Sequence, residues 1–79
     1  MKTIVVGQRG FVLVGDMEMD TDFVVLKNCA CIRRWGTTAG LGELGFKGPT
    51  KDTVLDPQPE TRLHVLTVVQ FISAPGWKK

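Results

Sequence analysis

The chain has seventy-nine residues, ten Lys/Arg against eight Asp/Glu, and a net charge of +2. That length makes one domain, and so balanced a charge argues against a general polyanion binder, so any nucleic-acid contact needs a local basic patch. No apolar run reaches the length of a membrane span, and the two cysteines and one histidine do not supply the four ligands of a structural zinc.

Lys2 to Val6 is β-branched and predicts a first strand. Gly7-Gln8-Arg9-Gly10 supplies a turn whose two glycines can take positive φ. A second strand starts at Phe11 and extends to about Met19. Over that stretch Asp16, Glu18 and Asp20 alternate with Met17 and Met19, the two-residue period of a strand. Asp20-Thr21-Asp22 then turns the chain. Carboxylates at 16, 18, 20 and 22 imitate the start of a calcium loop, but Thr21 and Lys27 stand where an EF-hand needs glycine and glutamate. A solvated hairpin tip is the better reading.

Phe23 to Lys27 predicts a third strand, Asn28 a turn or bulge, and Cys29 to Arg34 a fourth strand. The C-x-C spacing puts Cys29 and Cys31 on one strand face, with a loop too short for an unstrained disulfide. Together with a start that lacks a signal-peptide pattern, this predicts reduced thiols in an intracellular chain. Lys27, Arg33 and Arg34 form a local basic area.

The segment from Ile32 to Pro49 has the most distinctive composition. It carries Arg33, Arg34, Trp35, Thr37, Thr38 and five glycines, at 36, 40, 42, 45 and 48. Gly40 to Gly45 is a literal G-x-G-x-x-G. The βαβ context of a dinucleotide fold is absent, because Gly48-Pro49 follows at once. The sequence instead predicts a loop with a short helical turn at about Leu41 to Leu44, anchored by Leu41, Leu44 and Phe46. Such a loop can hold an anion. The amides of Gly36, Gly40 and Gly42 would converge on a phosphate, Thr37 and Thr38 would add hydroxyls, and Arg33 and Arg34 charge-assisted donors. Trp35 would offer a stacking face. The competing reading is that Arg33 and Arg34 are surface charges and that the glycines let the loop fold back over the open end of a small barrel.

Pro49 to Glu60 holds three of the four prolines around a short strand at Thr53 to Leu55. Leu63 to Ile72 predicts one long last strand, apolar on both faces and so buried on both. In a domain this small that favours a homo-oligomer, which would also offset a marginal core. Ser73 to Lys79 reads as a flexible tail whose Trp77 docks on the body or meets a partner. His64 is the only histidine and has no nucleophile, acid or metal-ligand set beside it in sequence.

The segment Arg33-Arg34-Trp35-Gly36-Thr37-Thr38, followed by Gly40-Leu41-Gly42-Glu43-Leu44, then Thr53 to Pro57 and a closing apolar strand, resembles a group of small proteins encoded by tailed bacteriophages and prophages. The resemblance covers most of the chain. It implies a phage origin and a place in the host cytoplasm, and attaches no activity or site residue.

The expected fold is therefore mainly β, a five- or six-stranded antiparallel barrel or sandwich with a long glycine-rich loop, forming one domain over residues 1–79. The expected role is a non-enzymatic binding protein without a cofactor, capturing a nucleotide or a nucleic-acid phosphate. The alternatives are a protein-interaction module that inhibits or recruits a host factor, with an anti-defence role, and a virion structural or assembly protein. Trp and Arg suit an interaction surface as well as a ligand site.

Overall fold

The computed structural model describes residues 2–77. Six antiparallel strands form one sheet: β1 (Lys2–Gly7), β2 (Val12–Asp20), β3 (Phe23–Arg34), β4 (Val54–Gln58), β5 (Thr61–His64) and β6 (Val68–Ala74). One short helix, α1 (Leu41–Lys47), lies between β3 and β4. The spatial order is β4-β3-β2-β1-β6, with β5 continuing the β4 edge along the other half of β3.

The two strands expected at Phe23 to Lys27 and Cys29 to Arg34 are one strand with a bulge. Val14 pairs with Ala30 and Asp16 with Lys27, so Gly15 on β2 faces two residues, Asn28 and Cys29, on β3. Asn28 takes the extra position with φ 49°, a conformation asparagine tolerates better than most residues. A Cβ on Gly15 would fall 2.6 Å from Cys29 Cβ, which explains the glycine. The bulge resets the strand's alternation. Val24 and Leu26 before it, and Cys29 and Cys31 after it, line the same face.

The run from Leu63 to Ile72 is not one strand. It breaks at Val65–Thr67 into a single 3-10 turn, with β5 on one edge of the sheet and β6 on the other. His64 Nδ1 accepts from the Leu66 amide at 3.2 Å and caps that turn. Three residues can join opposite edges only if the sheet curls. Leu63 of β5 accordingly reaches β1, its Cδ2 lying 3.8 Å from where a Gly7 Cβ would stand. No ladder joins β5 to β6, so the sheet does not close into a barrel. The architecture is a curled, sandwich-like β fold.

The curl divides the core in two. Inside it Val5, Leu13, Val24, Leu26 and Cys29 are buried, with Leu63, Val65 and Val68 packed against them. On the outer face Ile4, Val12, Val14 and Ile32 are roofed by Leu44 and Trp77. Leu44 is fully buried, worth roughly 1.5–3 kcal/mol for a leucine. Leu41 joins it, three residues earlier on the same helix face. Phe46 does not serve as the third anchor: it is 81% exposed. Gly45 replaces it at the contact, because a Cβ there would stand 2.8 Å from the Ser73 carbonyl of β6.

Much of the expected tail is also ordered structure. Ser73 and Ala74 belong to β6, and Trp77 is only 8% exposed within the outer core. The Gly76 amide donates to the Gly45 carbonyl at 3.0 Å, tying this segment to the end of α1. Lys78 and Lys79 lie outside the described residues. At the first turn positive φ falls on Arg9 and Gly10, not on Gly7.

Candidate ligand-binding site

The glycine-rich loop leaves β3 at Arg34 and enters α1 at Leu41. Its polar groups are turned mostly on one another. Arg33 forms a two-pronged ion pair with Asp56, Nε to Oδ2 at 2.9 Å and Nη2 to Oδ1 at 3.1 Å. Thr37 Oγ1 donates to the Gly40 carbonyl at 2.8 Å. The Thr38 amide, the Thr38 hydroxyl and the Ala39 amide all reach Glu43 Oε1, at 3.3, 3.3 and 3.0 Å. The loop therefore already holds an anion, its own Glu43 carboxylate. Glu43 is the third residue of α1 and reaches back over the helix start, a relative of the capping box.

The three glycines expected to bind, two in the loop and Gly42 within α1, have different duties. Gly36 has φ 67°, and a Cβ there would collide with the Asp52 carbonyl. Its own carbonyl accepts from Thr50 Oγ1 at 2.7 Å, while Thr53 Oγ1 donates to the Trp35 carbonyl at the same distance. Gly40, at φ 85°, is the N-cap of α1. Gly42 faces open space. Among the expected ligand groups, Arg34 has no ion-pair partner among the described residues, and Trp35 is 42% exposed. These two side chains remain available to something outside the chain.

The basic area expected at the end of β3 is thinner than its sequence suggests. Lys27 lies 3.4 Å from Glu18, and Arg33 is held by Asp56. The alternating carboxylates of β2 are likewise shared out, Asp16 to Lys2 at 3.5 Å and Asp20 to Arg62 at 3.4 Å. His64 caps a turn and meets Phe23 edge to face, ring centroids 5.4 Å apart. Cys29 and Cys31 are both free thiols; the buried Cys29 lies 3.3 Å from the Pro59 carbonyl and 3.5 Å from Thr61 Oγ1.

A sizeable recess lies elsewhere. A cleft of about 680 Å³ opens between the outer sheet face and the roof formed by the end of α1 and the C-terminal turn. Val14, Ala30, Leu55 and Pro57 make its floor, and Pro49 and Trp77 part of its roof. The volume falls within the ~300–1,000 Å³ of small-molecule sites, and so does the character, an apolar lining with few polar groups. Two ammonium groups belong to it. Lys2 is buried and donates to the Asn28 carbonyl at 2.8 Å. Lys47 is exposed, with no ion-pair partner among the described residues. Asn28 and Gln58 complete the polar part of the wall.

The sequence singled out Trp77 as a residue that docks or meets a partner, but gave no reason to join it to Lys2, Lys47 and Pro57. Those residues come from four separate segments, brought together by the strand order and by α1 and the C-terminal turn lying over the outer face. The Lys47-Gly48-Pro49 run at the end of the glycine-rich segment was the available signal.

This chain is thus a small curled-sheet β protein with a roofed apolar cleft. Comparison with family models and with curated proteins finds no match.

Proposed function

We propose that this protein is a non-enzymatic binding protein that captures an anionic small ligand of nucleotide size, and that the ligand sits in the cleft under α1 and Trp77. The observation that carries this reading is the cleft itself: a large apolar recess with, at its wall, a lysine that has no ion-pair partner among the described residues. A planar apolar body, such as a base, suits the proline- and tryptophan-lined space. A phosphate or carboxylate suits Lys47, since charge-assisted hydrogen bonds are the strong ones. The Arg33 to Gly45 loop is a poorer anion site, because Glu43 already occupies the Thr38 and Ala39 amides. A tethered carboxylate acts at an effective concentration on the order of millimolar. The phage resemblance suggests a setting, an accessory factor that sequesters a small signal molecule in the host cytoplasm.

Native mass spectrometry on untagged protein from bacterial cells, before and after denaturation, tests this, together with calorimetric titration of a nucleotide panel. The expected result is an excess mass released on unfolding, or binding of at least one nucleotide. Lys47→Ala should weaken that binding roughly 10- to 100-fold, the loss of one charged hydrogen bond, and Arg34→Ala should leave it unchanged. The reverse pattern would return the ligand to the loop. No binding to either protein form would sink the proposal.

A second reading is favoured by one observation, the exposed pair Arg34 and Trp35. These are the residue types most enriched at interface hot spots. They suit a contact with a host protein, and Trp35→Ala would then abolish capture of that protein while leaving nucleotide binding intact.

A further inference from the structure

The two edges of the sheet are built differently. The β4–β5 edge is guarded: it carries Pro57 within β4, Pro59 and Glu60 between the strands, and the charged side chains of Asp56 and Arg62. Proline removes a ladder donor and charge repels a docking strand, which is how natural sheets blunt an edge. The β6 edge has none of this. Val68–Ala74 reads Val-Val-Gln-Phe-Ile-Ser-Ala, with no charge, no proline and no glycine. It pairs only with β1. Val69, Gln70 and Phe71 are exposed in succession, Val69 at 69% and Phe71 at 44%.

We propose that two copies of this chain pair edge to edge through β6, antiparallel and about a two-fold axis, to form one continuous sheet. An isologous contact sets a strand against itself, so the strand must be compatible with its own copy. A neutral, β-branched and aromatic strand meets that condition, whereas a charged one places like charges opposite each other. The same asymmetry closes the assembly. A head-to-tail chain of copies would need β6 to dock on β4–β5, and that edge is guarded. The product is a dimer, not a filament.

A standard interface covers roughly 800 Å² on each partner, about one sixth of this chain's 5099 Å². Strand pairing needs apolar flanks to reach that area, and β6 has them. Phe46 projects from α1, next to the Gly45 that touches Ser73. Leu66, 81% exposed, stands just before β6. Phe46 and Leu66 thus flank the strand, one toward each end.

Light scattering coupled to size exclusion across a wide concentration range tests the proposal. The expected mass is twice the 8.7 kDa of the chain. Val69→Lys should shift the protein to monomer, and Glu60→Lys on the guarded edge should not. Phe46→Asp, on the exposed face of α1, gives an independent variant if Val69→Lys folds poorly, and it too should favour monomer. Amide exchange at Val69 to Phe71 should slow as concentration rises. A wild-type monomer at every concentration would overturn the proposal. So would a dimer indifferent to both Val69→Lys and Phe46→Asp, or an open-ended series of larger species.

Discussion

Asn28 does three things at once. Its backbone takes the left-handed bulge position, its carbonyl receives the buried Lys2 ammonium, and its side-chain amide donates to Asp16 Oδ2 at 3.1 Å. That amide bond is the main reason the Asp16 pKa lies below the usual carboxylate value; the Lys2 charge adds to the effect and partial burial opposes it. A carboxyl whose pKa is lowered by folding stabilises the native state above its unfolded value, and the contribution disappears as pH falls through the native value. For Asp16 that window lies below the ordinary carboxylate pKa, so neutral and mildly acid solutions leave it intact. Asn28→Ala should raise the Asp16 pKa toward the ordinary range, read by NMR titration of the carboxyl carbon. An unmoved pKa would show that the Lys2 charge alone sets it. The sequence pointed to Asn28 as a turn or bulge, since asparagine between two apolar runs carries that meaning. It could not show that the bulge also joins Lys2 to Asp16, because those contacts span fourteen and twenty-six residues.

At the scale of the element, the glycine-rich loop and α1 behave as one unit. Glu43 fastens the loop to the helix start, Thr37 closes it on Gly40, and Gly48 at φ 81° ends the helix with its amide on the Leu44 carbonyl. Glu43→Ala should cost about 1 kcal/mol, the usual loss for a helix cap, and should speed amide exchange at Thr38 and Ala39. Denaturant unfolding and exchange measurements check both; unchanged exchange would mean that the carboxylate does not hold the loop. The short helix and two of its anchors were legible in the sequence, because Leu41 and Leu44 have helical spacing. Phe46 was not, since spacing alone does not tell which of two adjacent residues, Gly45 or Phe46, faces the sheet. The anion-holding look of the loop also came from composition. Glycines, threonines and arginines suit a phosphate, but they suit an internal carboxylate equally, and the Asp56 that takes Arg33 lies on a different strand.

For the molecule as a whole, the outer core depends on a roof assembled from α1 and a turn near the C-terminus. Trp77→Ala should cost roughly 3–5 kcal/mol, as for other buried tryptophans, a large share of the ~5–15 kcal/mol that holds a domain together. Trp35→Ala, at an exposed site, should stay within about 0.5 kcal/mol. Thermal unfolding of the two variants would separate them, and equal losses would mean that Trp77 does not roof the core. The mainly β class was legible from β-branched apolar runs in β1 and the start of β3 and from the two-residue alternation in β2. The continuous apolar run from Leu63 to Ile72 misled, because a curled sheet can send the two halves of one apolar run to opposite edges. The break at Val65–Thr67 leaves no mark in hydropathy; a histidine that caps the turn marks it instead.

Lys2 pairs with Ala74, and both Lys2 and Trp77 line the cleft. The first and last strands therefore deliver their outer ends to the same wall. A fluorophore attached at Lys2 or Trp77 starts from the wall of the proposed ligand space, where it can compete with what it is meant to detect. The exposed Gln8–Gly10 turn stands at the opposite end of β1, roughly five residues or ~17 Å along the strand. A label placed there would report on this protein while leaving the cleft clear.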